Sequence, residues 1–227
     1  MNCMICSQQI RQLFSLKQIL ACEVMPPLII CYECRESFDK INGQVCSGCG
    51  RIFNKLSLCD DCIRWQNKFG YILHNQALFE YDSTMKEFMK QYKFNGDYQL
   101  RSVFKTEMKL AIKMINFDLV VPIPITPSTG NQRGFNQVEG IIEDCEYTQL
   151  LRTIETDKTE PQSHKTRQER LELQQPFELL DAMKETVFEK TVLLVDDVYT
   201  TGTTLYHAAN LLKTCGTKKI SSLTLAR

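Results

Sequence analysis

The segment LLVDDVYTTGTTL, residues 193–205, constrains the fold of this chain more than any other part of the sequence. It overlaps the short, uncharged and β-branched run TVLLV (residues 191–195), which is typical of a strand buried on both faces of a parallel sheet. Asp196 and Asp197 follow, and then four threonines around Gly202 lead into the helical pattern LYHAANLLKTC. Acids at the end of a strand, hydroxyl groups and the positive end of a helix together predict a site for a ligand that carries phosphate. The alternative is an ordinary strand-to-helix turn in which a threonine caps the helix.

The rest of the chain beyond residue 77 alternates strand patterns with helix patterns. FDLVVPIP (residues 117–124) and ISSLTLA (residues 220–226) predict buried strands, and a shorter strand is expected near LLRTI (residues 150–154). STMKEFMKQYKF (residues 83–94) carries Met and aromatic residues at helical spacing, which we interpret as a core face. This alternation predicts an α/β fold with a mainly parallel sheet and helices on both faces.

Cysteines are concentrated at the start of the chain, where nine of the eleven lie within the first 62 residues. Eight of them form four C-x-x-C pairs, and this spacing lets two thiolates turn toward one metal ion. We predict two four-cysteine zinc sites that join the first pair with the second and the third with the fourth; an interleaved arrangement is the alternative. A disulfide framework is disfavoured by the absence of a secretion signal. The predicted ligands are Cys3, Cys6, Cys31, Cys34, Cys46, Cys49, Cys59 and Cys62.

Length and composition favour two units. The chain has 227 residues, which exceeds the roughly 150 expected of a single domain. We assign residues 1–67 to a four-cysteine zinc-binding module, residues 68–227 to the α/β domain, and residues 63–76 to a hinge between them. Basic and acidic residues balance at 27 each, so binding of nucleic acid must be local and of modest affinity. No apolar run approaches the roughly 20 residues of a transmembrane helix, and we expect a cytoplasmic protein.

The whole string from the apolar run to the threonines resembles the phosphoribosyl pyrophosphate signature of type I phosphoribosyltransferases. The resemblance implies a type I phosphoribosyltransferase-like domain after the small double zinc ribbon. It gives Asp196 and Asp197 the catalytic position, facing the ribose hydroxyls. It implies that the 5′-phosphate is held by Thr200, Thr201, Gly202, Thr203 and Thr204.

A narrower resemblance covers nearly the whole chain. The cysteine pairs, KFNGD (residues 93–97), VPIP (residues 121–124), RGFNQ (residues 133–137) and the acidic signature together resemble the ComF family of competence proteins. The implied pyrophosphate loop and its neighbours are Val121, Pro122, Ile123, Pro124, Arg133, Asn136 and Gln137. For the last three residues, a solvated arginine and a helix N-cap at Asn136 are the alternatives.

The polar segment of residues 159–174 resembles the flexible loop that closes over the active site in type I enzymes. Its basic residues are Lys165, Arg167 and Arg170. Leu173 stands where the resemblance leads us to expect an asparagine, which puts the role of this loop in doubt. A solvated helix start is the alternative interpretation.

Two functions remain open at this level. The resemblance implies a competence protein that acts in DNA uptake during natural transformation, beside a competence helicase, and binds phosphoribosyl pyrophosphate, a nucleotide or single-stranded DNA. Arg51, Lys55, Arg64 and Lys68 surround the second zinc site and favour contact with a DNA strand. The alternative is an active phosphoribosyltransferase that uses Mg²⁺ with phosphoribosyl pyrophosphate and an acceptor that the sequence does not identify.

Overall fold

A four-stranded parallel sheet forms the centre of the computed structural model, which describes residues 2–10, 20, 28–55, 57–94, 98–154, 175–180 and 183–227. The strand order is β1-β6-β5-β2, and a separate antiparallel ribbon joins β3 to β4. The strands are β1 (His74–Phe79), β2 (Leu119–Pro122), β3 (Leu151–Thr153), β4 (Phe177–Leu179), β5 (Thr191–Val198) and β6 (Lys219–Ala226). The helices are α1 (Tyr32–Glu36), α2 (Asp60–Phe69), α3 (Ser83–Phe94), α4 (Lys105–Lys113), α5 (Pro127–Arg133), α6 (Gln137–Ile141), α7 (Lys184–Val187) and α8 (Thr203–Thr214), with a 3-10 turn at Tyr98–Val103.

Strand β5 is buried on both faces of this sheet. Leu193 and Val195 point into one core, and Val192 and Leu194 point into the other, because side chains alternate along a strand. Helix α3 covers the first face with the side chains that the sequence predicts as a core face: Met85, Phe88, Met89 and Tyr92. Helix α8 covers the second. The predicted α/β fold with helices on both faces is confirmed.

The cysteine-rich region packs on both faces as well. Cys3 and Cys31 belong to the core that α3 covers, whereas Cys46, Cys49 and Cys59 belong to the core that α8 covers. The two halves of this region therefore pack against opposite faces of the sheet.

Residues 63–76 do not form the hinge that the sequence predicts. They continue α2, which ends where Gly70 adopts a positive φ of 76°, and then enter β1 at the edge of the sheet. Trp65 is buried because one face of α2 packs against the second core. The proposed division between residues 67 and 68 falls inside this helix.

Asn75 on β1 connects the sheet to the second half of the cysteine-rich region. Its side-chain amide donates to the Cys49 carbonyl (3.2 Å) and to Thr224 Oγ1 (3.1 Å), and its oxygen accepts from Ser222 Oγ (2.9 Å). All three bonds lie in the interior, where an unpaired polar group costs about 1–3 kcal/mol.

We predict that Asn75→Ala lowers the free energy of unfolding by about 2 kcal/mol, because three buried partners lose their bonds. Denaturant unfolding followed by circular dichroism measures the change. Asn42→Ala is the matched control, since that exposed side chain donates a single bond to the Lys40 carbonyl. Equal losses in the two variants would contradict the prediction.

Candidate functional site

The acid pair lies where β5 reaches the carboxyl edge of the sheet. Asp196 and Asp197 are 9% and 5% exposed, and the Asp197 amide donates to Asp196 Oδ1 (2.8 Å). The alternation of the strand directs the two carboxylates to opposite faces. Lys93, near the end of α3, places its Nζ 2.5 Å from Asp197 Oδ2. One acid is therefore matched by a cation, while the other faces the loop side of the sheet.

Burial, together with the nearby charge of Asp197, raises the pKa of the Asp196 carboxyl to about 8. The charged form is penalised because water cannot solvate it there. Ligand hydroxyl groups that donate to this carboxylate would favour its ionised form. The pair is thus suited to a ligand that supplies donors.

The loop that follows is shaped by Gly202, whose φ is 84°. A Cβ at this position would collide with the hydroxyl and ring of the buried Tyr199, and the positive φ also favours glycine. Thr201 Oγ1 and Thr203 Oγ1 lie 2.8 Å apart inside the turn, while Thr200 is exposed and Thr204 is half-buried.

Helix α8 starts at Thr203, and its N-cap residue Gly202 has no side chain that could cap the first turn. Thr201 Oγ1 accepts a long bond of 3.4 Å from Thr203 N. Amide groups at the start of a helix attract anions, because they lack partners within the helix. This end of α8 therefore suits the phosphate site that the sequence predicts, and that site stays a prediction.

Two residues that the sequence analysis does not single out hold this loop in place. Trp65 Nε1 donates to the Thr201 carbonyl (2.7 Å), and Arg227 Nη1 donates to the carbonyls of Tyr199 (3.1 Å) and Thr200 (2.8 Å). Trp65 is the one tryptophan of the sequence, and its position three residues after Cys62 was an available signal. Nothing in the local sequence marks Arg227, since its partners lie on another strand and loop.

The segment after β2 lies beside the acid pair. Ile123 N donates to the Val195 carbonyl (2.9 Å), which extends the pairing of β2 with β5 by one residue beyond Pro122. Pro124 follows at the same edge of the sheet. Val121, Pro122 and Ile123 are buried, and Pro124 is half-buried.

Asn136 caps α6 and does not present a free amide. Its oxygen accepts from Val138 N (2.9 Å), and its nitrogen donates to the Ile123 carbonyl (3.1 Å) and to Glu139 Oε1 (3.0 Å). The N-cap alternative is thus what the geometry shows, and the residue fixes the loop after β2.

Arg133 and Gln137 lie between that loop and the acid pair. Arg133 Nη1 donates to Gln137 Oε1 (3.0 Å), and the Gln137 carbonyl accepts from the Tyr92 hydroxyl (2.9 Å). Burial lowers the pKa of Arg133, and the negative charge of Asp197 acts against this shift. Arg133 therefore adds a cation close to the acids. The predicted loop residues Lys165, Arg167, Arg170 and Leu173 lie outside the described residues.

The eight predicted cysteines form two groups, each with its four sulfur atoms within 4.8 Å of one another. The first group joins Cys3, Cys6, Cys31 and Cys34, and the second joins Cys46, Cys49, Cys59 and Cys62. These are the sequential pairings rather than the interleaved ones.

The geometry of both groups fits a tetrahedral metal ion. Sulfur atoms lie 3.7 Å apart between Cys6 and Cys31, 3.7 Å between Cys46 and Cys62, and 3.6 Å between Cys49 and Cys59. Zinc with Zn–S bonds of about 2.3 Å requires a spacing of about 3.8 Å, whereas a disulfide requires about 2.0 Å. Each of the two groups can hold a metal ion, and the donor set is consistent with zinc.

The second group is surrounded by charged side chains. Arg227 Nη2 lies 3.5 Å from Cys49 Sγ, and Arg51 and Arg64 both pair with the buried carboxylate of Asp61. The pKa of Cys49 falls to about 4, because Cys62 donates to its sulfur and because Arg227 is close. Cys49 thus favours the thiolate that binds metal, whereas burial raises the pKa of Cys59 and the hydrogen bond to Cys49 raises the pKa of Cys62.

The parallel α/β fold agrees with a match of residues 131–227 to the model of the phosphoribosyl transferase domain, which gives the class of this domain. Competence protein ComFC of Streptococcus pneumoniae (strain ATCC BAA-255 / R6) is 32% identical over 228 residues, covering 100% of both chains. Competence protein ComFC of Bacillus subtilis (strain 168) is 30% identical over 99% of this chain and 94% of its own. Competence protein F of Haemophilus influenzae (strain ATCC 51907 / DSM 11121 / KW20 / Rd) is 21% identical over 87% of this chain and 96% of its own. The chain belongs to the ComFC family of competence proteins, and within its described residues no helix is long and apolar enough to cross a membrane.

We predict two zinc ions per chain by elemental analysis. Cys59→Ser should reduce the content to one, because it removes a ligand of the second group only. Cys215→Ser is the matched control, since this cysteine belongs to neither group and should leave both ions bound. A metal-free preparation with an ordered cysteine-rich region would refute the prediction.

We also predict that Asp196→Asn stabilises the free protein near pH 8. The pKa of this carboxyl is higher in the folded protein than in the unfolded chain, so ionisation costs stability as pH rises from about 4 toward about 8. The asparagine keeps the acceptor for the Asp197 amide and removes the ionisation. Thermal unfolding should show the gain growing between about pH 6 and pH 8, by at most about 1.4 kcal/mol per pH unit. Parallel profiles for the two proteins would rule this out.

Proposed function

We propose that this protein acts in DNA uptake during natural transformation and binds a 5′-phosphoribosyl group, as phosphoribosyl pyrophosphate or a nucleotide, at the carboxyl edge of its sheet. The observation that carries the proposal is the acid pair beside the glycine-capped start of α8. Asp196 and Asp197 would accept from the ribose hydroxyls, and the amides of α8 with the hydroxyl of Thr204 would donate to the phosphate. The role in competence is supported by the ComFC relatives.

The backbone after β2 and the side chain of Arg133 suit the pyrophosphate of phosphoribosyl pyrophosphate. The backbone of residues 121–124 borders the acids, and Arg133 supplies a cation at the same place. Mg²⁺, brought with phosphoribosyl pyrophosphate, would neutralise the pyrophosphate charge when bound. Arg133 would orient that pyrophosphate from the protein side.

Single-stranded DNA shares the sugar–phosphate chemistry of this ligand, but its deoxyribose lacks the 2′-hydroxyl and its 3′-oxygen is esterified within the strand. An internal nucleotide would therefore give the acid pair no sugar hydroxyl donor. A cleft of about 470 Å³ beside the second four-cysteine group is lined by Arg51, Arg64 and Phe53, among others. Both arginines are already paired with Asp61, which leaves little uncompensated charge. DNA binding is therefore expected to be modest and salt-sensitive. A competence helicase that handles the same strand in the cytoplasm is the partner that this role implies.

Phosphoribosyl transfer is the second candidate. It is favoured by the hydrogen bond from Ile123 N to the Val195 carbonyl, which brings the pyrophosphate side and the ribose side to one edge. Release of pyrophosphate in the presence of individual bases distinguishes the two functions. Steady release with any base establishes turnover, and ligand binding without release supports the binding role.

We predict that Asp196→Asn weakens the binding of phosphoribosyl pyrophosphate with Mg²⁺ by about tenfold or more, which corresponds to about 1.4 kcal/mol. The variant keeps the shape of the side chain and loses the charge that ribose hydroxyls would meet. Isothermal titration calorimetry measures the affinity, and Asp197→Asn is expected to have a comparable effect.

Asp118→Asn is the matched control, because Asp118 accepts from Thr191 N at the opposite edge of the sheet. Thr204→Val should weaken the affinity by removing a hydroxyl while nearly preserving volume. Unchanged affinity in folded Asp196→Asn would mean that this loop is only a turn.

A further inference from the structure

The second four-cysteine group lies next to the loop that follows β5, and Arg227 contacts both. Arg227 spans the two, with Nη1 on the carbonyls of Tyr199 and Thr200 and Nη2 at 3.5 Å from Cys49 Sγ. Its side chain is 7% exposed, so water compensates little of its charge, and the buried carboxylate of Asp61 lies 3.9 Å from Nη2. The Tyr199 ring packs against the guanidinium, with 4.7 Å between Cζ and the ring centroid. One buried cation thus contacts both the sulfur cluster and the start of the loop.

Helix α2 provides a second connection. It carries the ligand Cys62, and three residues later Trp65 donates to the Thr201 carbonyl (2.7 Å). The indole also stacks on Tyr206 of α8, with ring centroids 4.7 Å apart and an interplanar angle of 15°. The metal group, the loop and the helix that follows the loop are therefore joined through one rigid side chain.

We propose that the metal ion of the second four-cysteine group positions the loop of residues 199–204, and that a phosphate ligand on this loop in turn strengthens the binding of that metal. Arg227 and Trp65 are the positioning residues. The ligand half of the proposal rests on the proposed function, whereas the loop half does not.

The coupling follows from geometry and charge. Four thiolates around a divalent ion carry a net charge of about −2, which the buried Arg227 partly balances. Loss of the ion removes the common centre that fixes the four sulfurs, so Cys49 no longer holds one position beside the guanidinium. The bonds from Arg227 to two loop carbonyls weaken with it. Because binding free energies are linked, a ligand that requires the ordered loop must favour the metal-bound form by the same factor.

The first four-cysteine group offers an internal comparison. Cys3 and Cys31 pack in the core on the other face of the sheet, and in the described part of the chain no hydrogen bond joins that group to residues 199–204. Its metal is therefore expected to be independent of the loop.

Hydrogen–deuterium exchange tests the loop half without any ligand. Arg227→Gln and Trp65→Phe should each speed exchange of the residue 199–204 amides by about fivefold or more, with two metal ions still bound. Trp65→Phe removes the donor and keeps a stacking ring. Exchange in the centre of β5, at residues 192–194, should not change. Unchanged loop exchange in both variants, or an equal increase throughout the sheet, would overturn the proposal.

Cys59→Ser and Cys6→Ser compare the two metal groups in the same measurement. The first variant should speed loop exchange and the second should not, since each removes a ligand from one group only. Equal effects of the two variants on the loop would contradict a specific connection.

Equilibrium competition for zinc with a chromogenic chelator tests the ligand half, with ribose 5-phosphate as the probe and calorimetry to establish that it binds. In Cys6→Ser, where the second group is intact, the probe should raise the zinc affinity at least threefold, and adding Arg227→Gln should abolish this difference. An unchanged zinc affinity with the probe bound, or an equal change in Cys59→Ser, where only the first group is intact, would overturn the coupling. Failure of the probe to bind would count against the proposed function, and loop exchange would then decide the positioning role by itself.

Discussion

The burial of β5 on both faces is the constraint on which the rest of this structure depends. A strand with Val192 and Leu194 on one side and Leu193 and Val195 on the other needs two separate apolar layers. The helices supply most of each layer, and the cysteine-rich region completes both. Within the described residues, this arrangement ties the cysteine-rich region to the domain, because Cys3 and Cys31 lie in one core and the four cysteines of the second group lie in the other.

The same burial sets the chemistry at the end of the strand. Asp196 and Asp197 lie within the last residues of β5 and are buried, so water solvates their charges poorly. Lys93 pairs with Asp197 and the charge of Arg133 acts on the same carboxylate, whereas burial and the charge of Asp197 raise the pKa of Asp196. The pair is therefore asymmetric, although the two residues are adjacent and chemically identical.

Local patterns predicted what local physics determines. The strand over residues 191–195, the helix after Gly202 and the sequential cysteine groups all follow from spacing and residue type within short windows, and the structure extends the strand through both acids to Val198. The hinge predicted at residues 63–76 is wrong, because a polar amphipathic helix such as α2 resembles a linker until the surface that buries Trp65 is known.

Long-range partners were beyond the sequence. Lys93 belongs to the KFNGD segment of the family resemblance, but its pairing with Asp197 depends on how α3 crosses the sheet. Arg227 is bonded to the loop before α8 only because β6 lies beside β5. The antiparallel pairing of β3 with β4 could not be predicted either, since β4 is only three residues long and gives no clear strand pattern.

The contact between Trp65 and Thr201 has a consequence for how the chain is made, because 136 positions separate the two residues. At synthesis rates of about 5–20 residues per second, Thr201 is added roughly 7 to 27 s after Trp65, so the indole has no acceptor during that time. During that interval the cysteines of the second group have left the ribosome without their final cover. An early metal ion would protect those thiols from oxidation while the rest of the chain is made. Metal that is supplied during translation, before the sheet has formed, would therefore protect these cysteines the most.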